Sequence, residues 1–414
     1  MRKRRFWFIP LILLWMFAFL PRTSWPQMVL GQYEDEAPFR TWNTFGITTA
    51  RSLAMGETQF TLGSDCAVSL TNPALLTRLP KITFTVNSSF NIAQLYRYSI
   101  VNTGPFYTRE NLSIRVIAFD FAGASIRLKK WTLALSIGLM ESYDRPLAED
   151  VYDPAGTVLY LLRVDQEGNL KNINFSIARK LFGGLSVGIG LNYAYGFLEK
   201  DINEQLNTGS IAITDSKSHK FQGFYVNGGL VWKLADKIEV AAVFRMPYVK
   251  KSKSESFLNY LSPGGDTDII IEASSRDEYK QPFVAGIGVS YEFSPKLRAA
   301  SDFTFYNWSK YRVNYFEEEL ERDFKDIIKI GAGIEHLSSR RVFGQDVNIP
   351  LRAGLIYDPQ PMKVPNSSYY YLSLGTGIHW GKFLFDGAVI LGRESGSGNS
   401  LTASKVAVSL SFRL

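Results

Sequence analysis

YYLSLGTGIHW, residues 370–380, is the stretch that decides the fold class of this chain. Its even-numbered positions are mostly apolar with an aromatic ring at each end, whereas its odd-numbered positions are mostly serine, glycine and histidine. A period of two residues is typical of a β-strand with one apolar face. Ten steps of about 3.3 Å, tilted by about 40°, rise about 25 Å, the height of the lipid-facing band of an outer-membrane barrel. The stretch therefore predicts a membrane-spanning strand.

The same alternation recurs along the chain, most clearly at 185–197, 283–293 and 405–414. A soluble β-sandwich also alternates, but it has no need for aromatic rings at both ends of its apolar faces. We therefore predict an all-β fold, a transmembrane antiparallel β-barrel of about 14 strands, because an even number lets the barrel close. The strands are expected to begin near residues 81, 113, 131, 170, 184, 217, 237, 281, 297, 325, 348, 369, 382 and 403.

The connections between these strands alternate between short and long. Short links are predicted at 129–130, 182–184, 235–236, 294–296 and 381, with a somewhat longer turn at 338–346. Long loops are predicted near 93–112, 144–169, 201–216, 254–280, 314–324, 359–368 and 393–402. Outer-membrane barrels have short periplasmic turns and long external loops. The phase of this alternation places the chain in the cell outer membrane with both termini periplasmic.

The first 31 residues have the layout of a secretory signal. Four basic residues at 2–5 precede an apolar run at 6–20, and Gly31 offers a small residue for cleavage. An uncleaved membrane anchor stays open as the alternative, although the run is shorter than the ~20 residues of a spanning helix. Because this segment holds five basic and no acidic residues, the net charge of +7 falls to about +2 without it. The charge therefore indicates no nucleic-acid partner.

A compact, turn-rich stretch precedes the first strand: TARSLAMGETQFTLGSDCAVSLTNPALLTRLP, residues 49–80. Gly56, Gly63 and the turn Asn72-Pro73-Ala74 interrupt it too often for a long helix, yet it is rich in small and apolar residues. We predict a hatch over 32–80 inside the lumen, followed by the barrel over 81–414. Glycine pairs on the predicted lumen faces leave room for such a plug or for a ligand, at 188/190, 286/288, 331/333 and 375/377.

Several stretches resemble the FadL/TodX family of outer-membrane channels for long-chain fatty acids and other hydrophobic compounds. They are ARSLAMGETQFTLGSDCAVSLTNPALL at 50–76, LRAASDFTFYNWSKY at 297–311 and IPLRAGLIYDPQPM at 349–362. Two features depart from the family pattern: Leu75 stands where a glycine usually follows Asn-Pro-Ala, and the chain ends in Leu414 rather than an aromatic residue. The resemblance implies a 14-stranded barrel with an N-terminal hatch that includes Gly56, Asn72, Pro73 and Ala74.

The family resemblance implies passive uptake of a fatty acid-like or other hydrophobic small molecule, within outer-membrane lipids. The wording RSLAMG at 51–56 is also similar to the PorV-type branch of these barrels, which serves protein secretion. A barrel that carries or anchors a protein partner is therefore the alternative function.

Candidate ligand contacts follow from strand phase and from apolar loop sequence. Charged residues are numerous on the predicted lumen faces, where a salt-bridge ladder is one interpretation. The other is that Arg352 and Lys310 receive a ligand carboxylate, with Trp308 close to Lys310 in sequence. The stretches VLYLL at 158–162 and FLNYL at 257–261 are apolar for external loops, which makes Leu159 and Leu258 candidate capture residues unless they are strand extensions.

The sequence offers little to an enzyme. Only His219, His336 and His379 occur, on separate predicted segments and without the spacing of metal ligands. An outer-membrane phospholipase built on one of them remains open. The single cysteine, Cys66, excludes an intrachain disulfide. We predict no enzyme activity, no cofactor and no metal.

Overall fold

The chain forms a closed antiparallel β-barrel of 14 strands, as the alternation predicts. The structure is a computed structural model, and it describes residues 45–94, 107–108, 113–144, 147–152, 158–206, 212–261, 268–315, 318–321, 323–342, 345–363, 366–396 and 402–414. The predicted signal at 1–31 and the first part of the predicted hatch, 32–44, lie outside these residues. The ring closes because the first strand pairs with both the second barrel strand and the last one.

The described strands are β1 (Ile82–Gln94), β2 (Tyr107–Thr108), β3 (Ser113–Leu128), β4 (Trp131–Ser142), β5 (Leu147–Tyr152), β6 (Val158–Lys180), β7 (Leu185–Leu206), β8 (Ala212–Ala235), β9 (Ile238–Arg245), β10 (Tyr248–Leu261), β11 (Asp268–Gln281), β12 (Val284–Ser294), β13 (Leu297–Tyr306), β14 (Arg312–Tyr315), β15 (Glu318–Glu321), β16 (Ile327–Val342), β17 (Gln345–Pro359), β18 (Ser368–Trp380), β19 (Phe383–Ser395) and β20 (Thr402–Arg413). Helical structure consists of α1 (Ala50–Ala54) and three short 3₁₀ helices, Cys66–Leu70, Pro73–Arg78 and Trp308–Lys310. Among the described helices, none has the length and apolarity to cross a membrane.

Two prolines and four short segments explain why 20 strand segments make 14 barrel strands. β9 and β10 continue one another across Met246 and Pro247, and β11 and β12 do so across Pro282 and Phe283. Proline has no backbone N–H to donate to a ladder, so each strand is interrupted there. The short segments β5 and β14 pair with the ring strands β6 and β11, and β2 and β15 pair in turn with β5 and β14, so none of the four adds a strand to the ring.

One side of the barrel is much taller than the other. β6, β7 and β8 have 23, 22 and 24 residues, whereas β18, β19 and β20 have 13, 13 and 12. A tilted strand of the length of β8 rises about 60 Å, so it extends about 30 Å beyond a lipid band. We call β6, β7, β8, β10 and β11 the tall wall.

The tall wall corrects the loop predictions at 144–169, 201–216 and 254–280. These residues are largely strand, so Leu159 in β6 and Leu258 in β10 belong to strand extensions rather than to loops. The extensions lie beyond the predicted membrane band, and in several of them polar residues occupy both faces. The apolar-polar period that marks the membrane-spanning part is therefore absent from their sequence.

The outer surface of the ring carries the apolar face of each strand. Ile117, Phe224 and Leu355 are 82%, 74% and 63% exposed, which is the expected state of lipid-facing side chains in a barrel without its lipid. Buried residues lie on the opposite faces, where they contact residues 45–80. We call residues 45–80 the luminal segment: α1 packs against β17 to β20, and the helix Pro73–Arg78 packs against β4, β6, β7 and β8.

Candidate functional site

The two 3₁₀ helices of the luminal segment begin at side-chain caps. Asp65 Oδ1 accepts a hydrogen bond from the Ala67 amide at 2.9 Å, and Asn72 Oδ1 accepts one from the Ala74 amide at 3.1 Å. Pro73 follows its cap at the first helical position, where its missing N–H costs nothing. The Asp-Cys and Asn-Pro-Ala sequences therefore fix short helices that end within one or two turns.

The predicted hatch turn at Asn72 lies against β7 and β8. The Asn72 side-chain amide donates to the carbonyls of Phe60, at 2.7 Å, and Leu230, at 3.1 Å. A Cβ added to Gly188 would lie 2.5 Å from the Pro73 carbonyl carbon, closer than any real contact permits. The glycine in β7 therefore lets the turn approach the barrel wall.

Hydrogen bonds between uncharged groups hold the 3₁₀ helix Cys66–Leu70 against β4, β6 and β8, on the same side of the lumen as Asn72. The Ser69 and Ser136 hydroxyls share a hydrogen bond of 2.9 Å, and Asn227 Nδ2 donates to the Ser69 carbonyl at 3.0 Å. Ser176 Oγ donates to the same carbonyl at 3.2 Å. Together with the contacts of Asn72, these bonds form what we call the neutral seat.

Gly56, the fourth predicted hatch residue, lies on the opposite side of the lumen. Its φ is +66°, a left-handed conformation that favours glycine. A Cβ at Gly331 would lie 2.1 Å from the Gly56 oxygen, and one at Gly354 would lie 2.1 Å from the Gly56 nitrogen. Ser373 Oγ accepts from the Gly56 amide at 3.1 Å. The lumen-facing glycines thus accommodate the segment here as well.

A network of buried charged side chains lies around the contact between Gly56 and the barrel wall. Glu335 on β16 lies 3.5 Å from Arg51 of α1 and 2.5 Å from Arg352 on β17, and it also pairs with Arg298. Arg352 continues to Asp386 at 2.7 Å. We call this network, together with the neighbouring contacts of Lys329, the charged seat.

Lys329 makes the second part of the charged seat. Its ammonium lies 2.7 Å from the Glu57 carboxylate of the luminal segment and 3.5 Å from Asp358 on β17. Beside it, Asp302 accepts hydrogen bonds from the amides of Gln59, at 2.6 Å, and Phe60, at 2.9 Å. Buried charges require such partners, because an isolated one is very costly in a dry interior. The lumen-side charges predicted from strand phase therefore largely hold one another and the segment.

A cavity of about 20 Å³ lies between the segment and β13 and β16. Its lining includes Glu57, Asp302, Tyr306 and Lys329. This volume suits a water molecule rather than an organic ligand.

Beyond the segment, towards the tall wall, the lumen is filled by an aromatic cluster. Its members are Tyr143, Phe221, Tyr225, Tyr248, Tyr279, Tyr306, Trp308 and Tyr311. Trp308 stacks on Tyr306 with ring centroids 6.2 Å apart and meets Tyr311 edge-on at 5.9 Å. The Lys250 ammonium lies 4.2 Å from the Phe221 ring centre. In the described part of the chain, the Tyr306 hydroxyl and the Trp308 Nε1 have no hydrogen-bond partner.

The structure separates the predicted ligand residues. Trp308 is buried in the aromatic cluster, whereas Arg352 is buried in the charged seat with two carboxylates as partners. Lys310 is exposed and Leu258 is half-buried in β10. Leu159 lies near the start of β6. Sequence reasoning missed Tyr306, whose lumen-facing phase could have identified it, and Arg51, whose partner is distant in sequence.

Burial changes the titration of groups in the luminal segment. It raises the pKa of the Cys66 thiol to about 11, although hydrogen bonds with Thr85 and Ser125 oppose the shift. It also raises the pKa of the Asp65 carboxyl and lowers the pKa of the Arg51 guanidinium to about 10. No group of three or more His, Cys, Asp or Glu within the described ranges could hold a metal ion.

Comparison with known proteins decides the family. A family model described as BamG matches residues 43–403, most of the chain. The chain belongs to the BamG family. No curated protein matches this BamG-family member.

Solved structures with the same fold are FadL-type barrels. The toluene transporter TbuX of Ralstonia pickettii is 15% identical with a TM-score of 0.60, over 90% of this chain and 99% of TbuX. A Pseudomonas aeruginosa FadL homologue is 14% identical with a TM-score of 0.65, over 89% and 99%. The Pseudomonas putida toluene transporter TodX is 12% identical with a TM-score of 0.63, over 90% and 99%.

These neighbours confirm the fold that the FadL/TodX resemblance implied for this BamG-family barrel. TbuX and TodX are described as transporters, in line with the prediction that the chain is not an enzyme. At these identities the likeness concerns the fold.

Proposed function

We propose that this BamG-family barrel lies in the outer membrane with periplasmic termini and takes up hydrophobic small molecules. The observation that carries this proposal is the aromatic cluster, which makes the lumen beyond the luminal segment apolar rather than water-filled. Tyr306 and Trp308 add unpartnered hydrogen-bond donors within it. An apolar, aromatic lining with a few polar groups is typical of sites for small hydrophobic ligands. The structural neighbours TbuX and TodX are described as toluene transporters, which agrees with this ligand class.

In this proposal residues 32–80 act as a hatch. The luminal segment fills the barrel between the neutral and charged seats, so a ligand held in the aromatic cluster passes only when the segment shifts. Lys310, exposed beside Trp308, is the candidate first contact for a ligand carboxylate. Arg352 lies deeper, and a carboxylate would reach it after Glu335 or Asp386 is displaced. Because Leu159 and Leu258 lie in strand extensions rather than loops, they are not retained as capture residues.

The test replaces Trp308 by phenylalanine, which keeps an aromatic six-membered ring and removes the five-membered ring with its Nε1 donor. We expect a fluorescent fatty acid to bind the purified barrel about fivefold more weakly, since one hydrogen bond contributes about 1 kcal/mol. Trp131→Phe is the matched control, because Trp131 lies on the lipid-facing side at 43% exposure. Equal affinity for wild type and Trp308→Phe would contradict a ligand site in the aromatic cluster.

A second candidate function, a barrel that serves a protein partner, is favoured by the edge of β11. On the side away from β10, the described pairing of β11 covers only Glu278 to Lys280. Beyond it, Ile269, Ile270 and Ile271 are 50%, 58% and 51% exposed. An open strand edge with apolar side chains can pair with an extended segment of another protein.

Extraction of the barrel in mild detergent distinguishes the two functions. A stoichiometric protein that co-purifies with wild type and is lost from Ile270→Lys would support the partner. A hydrophobic molecule retained without any protein would support uptake. Lys237→Glu, a charge change at an exposed turn away from the isoleucines, serves as the control for an altered surface.

A further inference from the structure

A row of three basic side chains crosses the outer face of the tall wall. Lys253 on β10 lies directly opposite Lys220 on β8 and directly opposite Arg276 on β11. All three are exposed, and each has the strand phase of the lipid-facing surface. Lys251 on β10 and Lys280 on β11 are also exposed and lie closer to the membrane. Five positive charges are thus concentrated on three adjacent strands.

This arrangement is unfavourable without an anion. Side chains directly opposite one another on adjacent strands have Cβ atoms about 5 Å apart, where like charges repel. Within the part of the chain that the structure describes, Lys220, Lys253 and Arg276 form no ion pair and no side-chain hydrogen bond. Lys251 and Lys280 do reach carboxylates, Glu278 and Glu319, each at 3.9 Å. The central row is therefore the part whose side chains contact no carboxylate of the described residues.

The row lies just beyond the lipid band. Lys220 pairs across the strands with Phe197, which is 38% exposed, and precedes Phe224, 74% exposed, by four residues on β8. Four residues of a tilted strand rise about 10 Å. At that height the neighbours of the barrel are lipid headgroups.

Acidic residues occupy the next positions outward. Glu199 and Glu255 face the same way, one cross-strand row above the basic row, and Glu167 lies opposite Glu199. Asp165 and Asp201 form a further acidic pair above them. A soluble anion that approaches from outside meets these carboxylates first. An anion fixed to the membrane surface reaches the basic row from below.

We propose that Lys220, Lys253 and Arg276 bind the phosphate groups of phosphorylated lipid headgroups in the outer leaflet. Arg276 offers a planar fork that suits bidentate contact with a phosphate, and the two lysines supply point charges. The lipid tails would lie against Phe224, below the row, and Phe197 lies beside Lys220 in the row itself. This inference rests on the proposed orientation in the outer membrane and is independent of the cargo.

The test measures lipid retained by the purified barrel in nanodiscs. The membranes contain phosphatidylethanolamine with either bis-phosphorylated lipid A or its dephosphorylated form. We expect the wild-type barrel to retain phosphorylated lipid A after detergent extraction, and Lys220→Gln/Lys253→Gln/Arg276→Gln to retain at least about tenfold less, given the contribution of each basic residue near an anionic surface. Lys130→Gln/Lys237→Gln/Lys296→Gln, which changes three exposed lysines at the opposite rim, should match wild type.

Two results would overturn the assignment. One is equal retention of lipid A by wild type and the triple variant, and the other is equal retention of the phosphorylated and dephosphorylated lipids. Displacement of lipid A by millimolar inorganic phosphate at constant ionic strength would assign the row to free anions instead. Thermal unfolding should be unchanged in both triple variants, because the six side chains are exposed. If neither wild type nor the variants bound fatty acid, the proposed uptake function would fail, but the lipid A measurement would still stand. The two proposals can therefore fail separately.

Discussion

The neutral seat and the charged seat hold the same segment by different means. In both seats the segment packs closely against strand glycines, Gly188 on one side and Gly331 and Gly354 on the other. The neutral seat adds amide and hydroxyl hydrogen bonds around Ser69 and Asn72, whereas the charged seat adds buried ion pairs around Glu335 and Lys329. Close packing is thus common to both, and charge is what differs.

The difference predicts two kinds of response to damage. Hydrogen bonds of the neutral seat contribute about 1 kcal/mol each and can be lost one at a time. Glu335 in contrast faces three arginines, so its loss leaves the two buried ones, Arg51 and Arg352, with too few partners. The charged seat should therefore fail as a unit, and the neutral seat by small steps.

Removing both seats at once gives the largest expected effect. Deletion of residues 32–80 takes away every contact described for the luminal segment and leaves the ring open. We expect single-channel conductance in planar bilayers to rise from closed-pore values to those of an open barrel. A deletion variant that folds, as judged by its heat-modifiable gel mobility, and conducts no better than the intact protein would contradict the role of the segment as a hatch.

Glu335→Gln tests the charged seat alone. Removing one partner of a buried ion pair costs about 3–5 kcal/mol, so we expect the free energy of unfolding in urea to fall by that amount. Glu239→Gln is the control, because Glu239 pairs with Arg78 of the same segment at a part-exposed site, 2.8 Å apart. Exposed pairs contribute about 0–1 kcal/mol. Equal losses in the two variants would remove the distinction between the seats.

Gly188→Ala tests the close packing of the neutral seat. Its Cβ would meet the Pro73 and Ala74 backbone, so we expect a loss of about 1–3 kcal/mol and a partly displaced Asn-Pro-Ala turn. Gly387→Ala is the matched control, since a Cβ there meets no atom within 4 Å. Unfolding in urea measures both. If Gly188→Ala matched Gly387→Ala, the approach of the turn to β7 would carry no energetic weight.

The last test measures how fast Cys66 in the luminal segment reacts with a maleimide, first in the intact barrel and then in two of the variants above. Because burial raises the pKa of the Cys66 thiol to about 11, the thiolate is scarce at pH 8. We expect Cys66 in the intact barrel to react with a maleimide far more slowly than an exposed thiol, and the rate to increase as pH rises towards 11. Glu335→Gln and Gly188→Ala should speed the reaction at pH 8 if the segment loosens. A fast reaction in the intact barrel would mean that the segment is already open.

The sequence predicts the ring better than it predicts what stands above or inside it. Alternation identified the membrane-spanning strands because lipid forces one face to be apolar. Above the membrane no such force acts, and β6, β7 and β8 continue through stretches that read as loops. Strand phase placed Glu335 and Arg352 in the lumen but could not pair them with Arg51, because that contact depends on how the segment is seated. Likewise, only strand register shows that Lys220, Lys253 and Arg276 share one row.

Ring closure has a consequence for the order of assembly. β1 pairs with β20, so that Thr83 lies opposite Arg413, and the Ile82 amide donates to the Leu414 carbonyl at 3.1 Å. β20, which follows the other described strands in the chain, therefore completes the wall that β1 begins. Contacts between residues so distant in sequence form slowly. Because the luminal segment precedes β1 and is encircled by the finished ring, it is available to template the strands before the final pair locks around it.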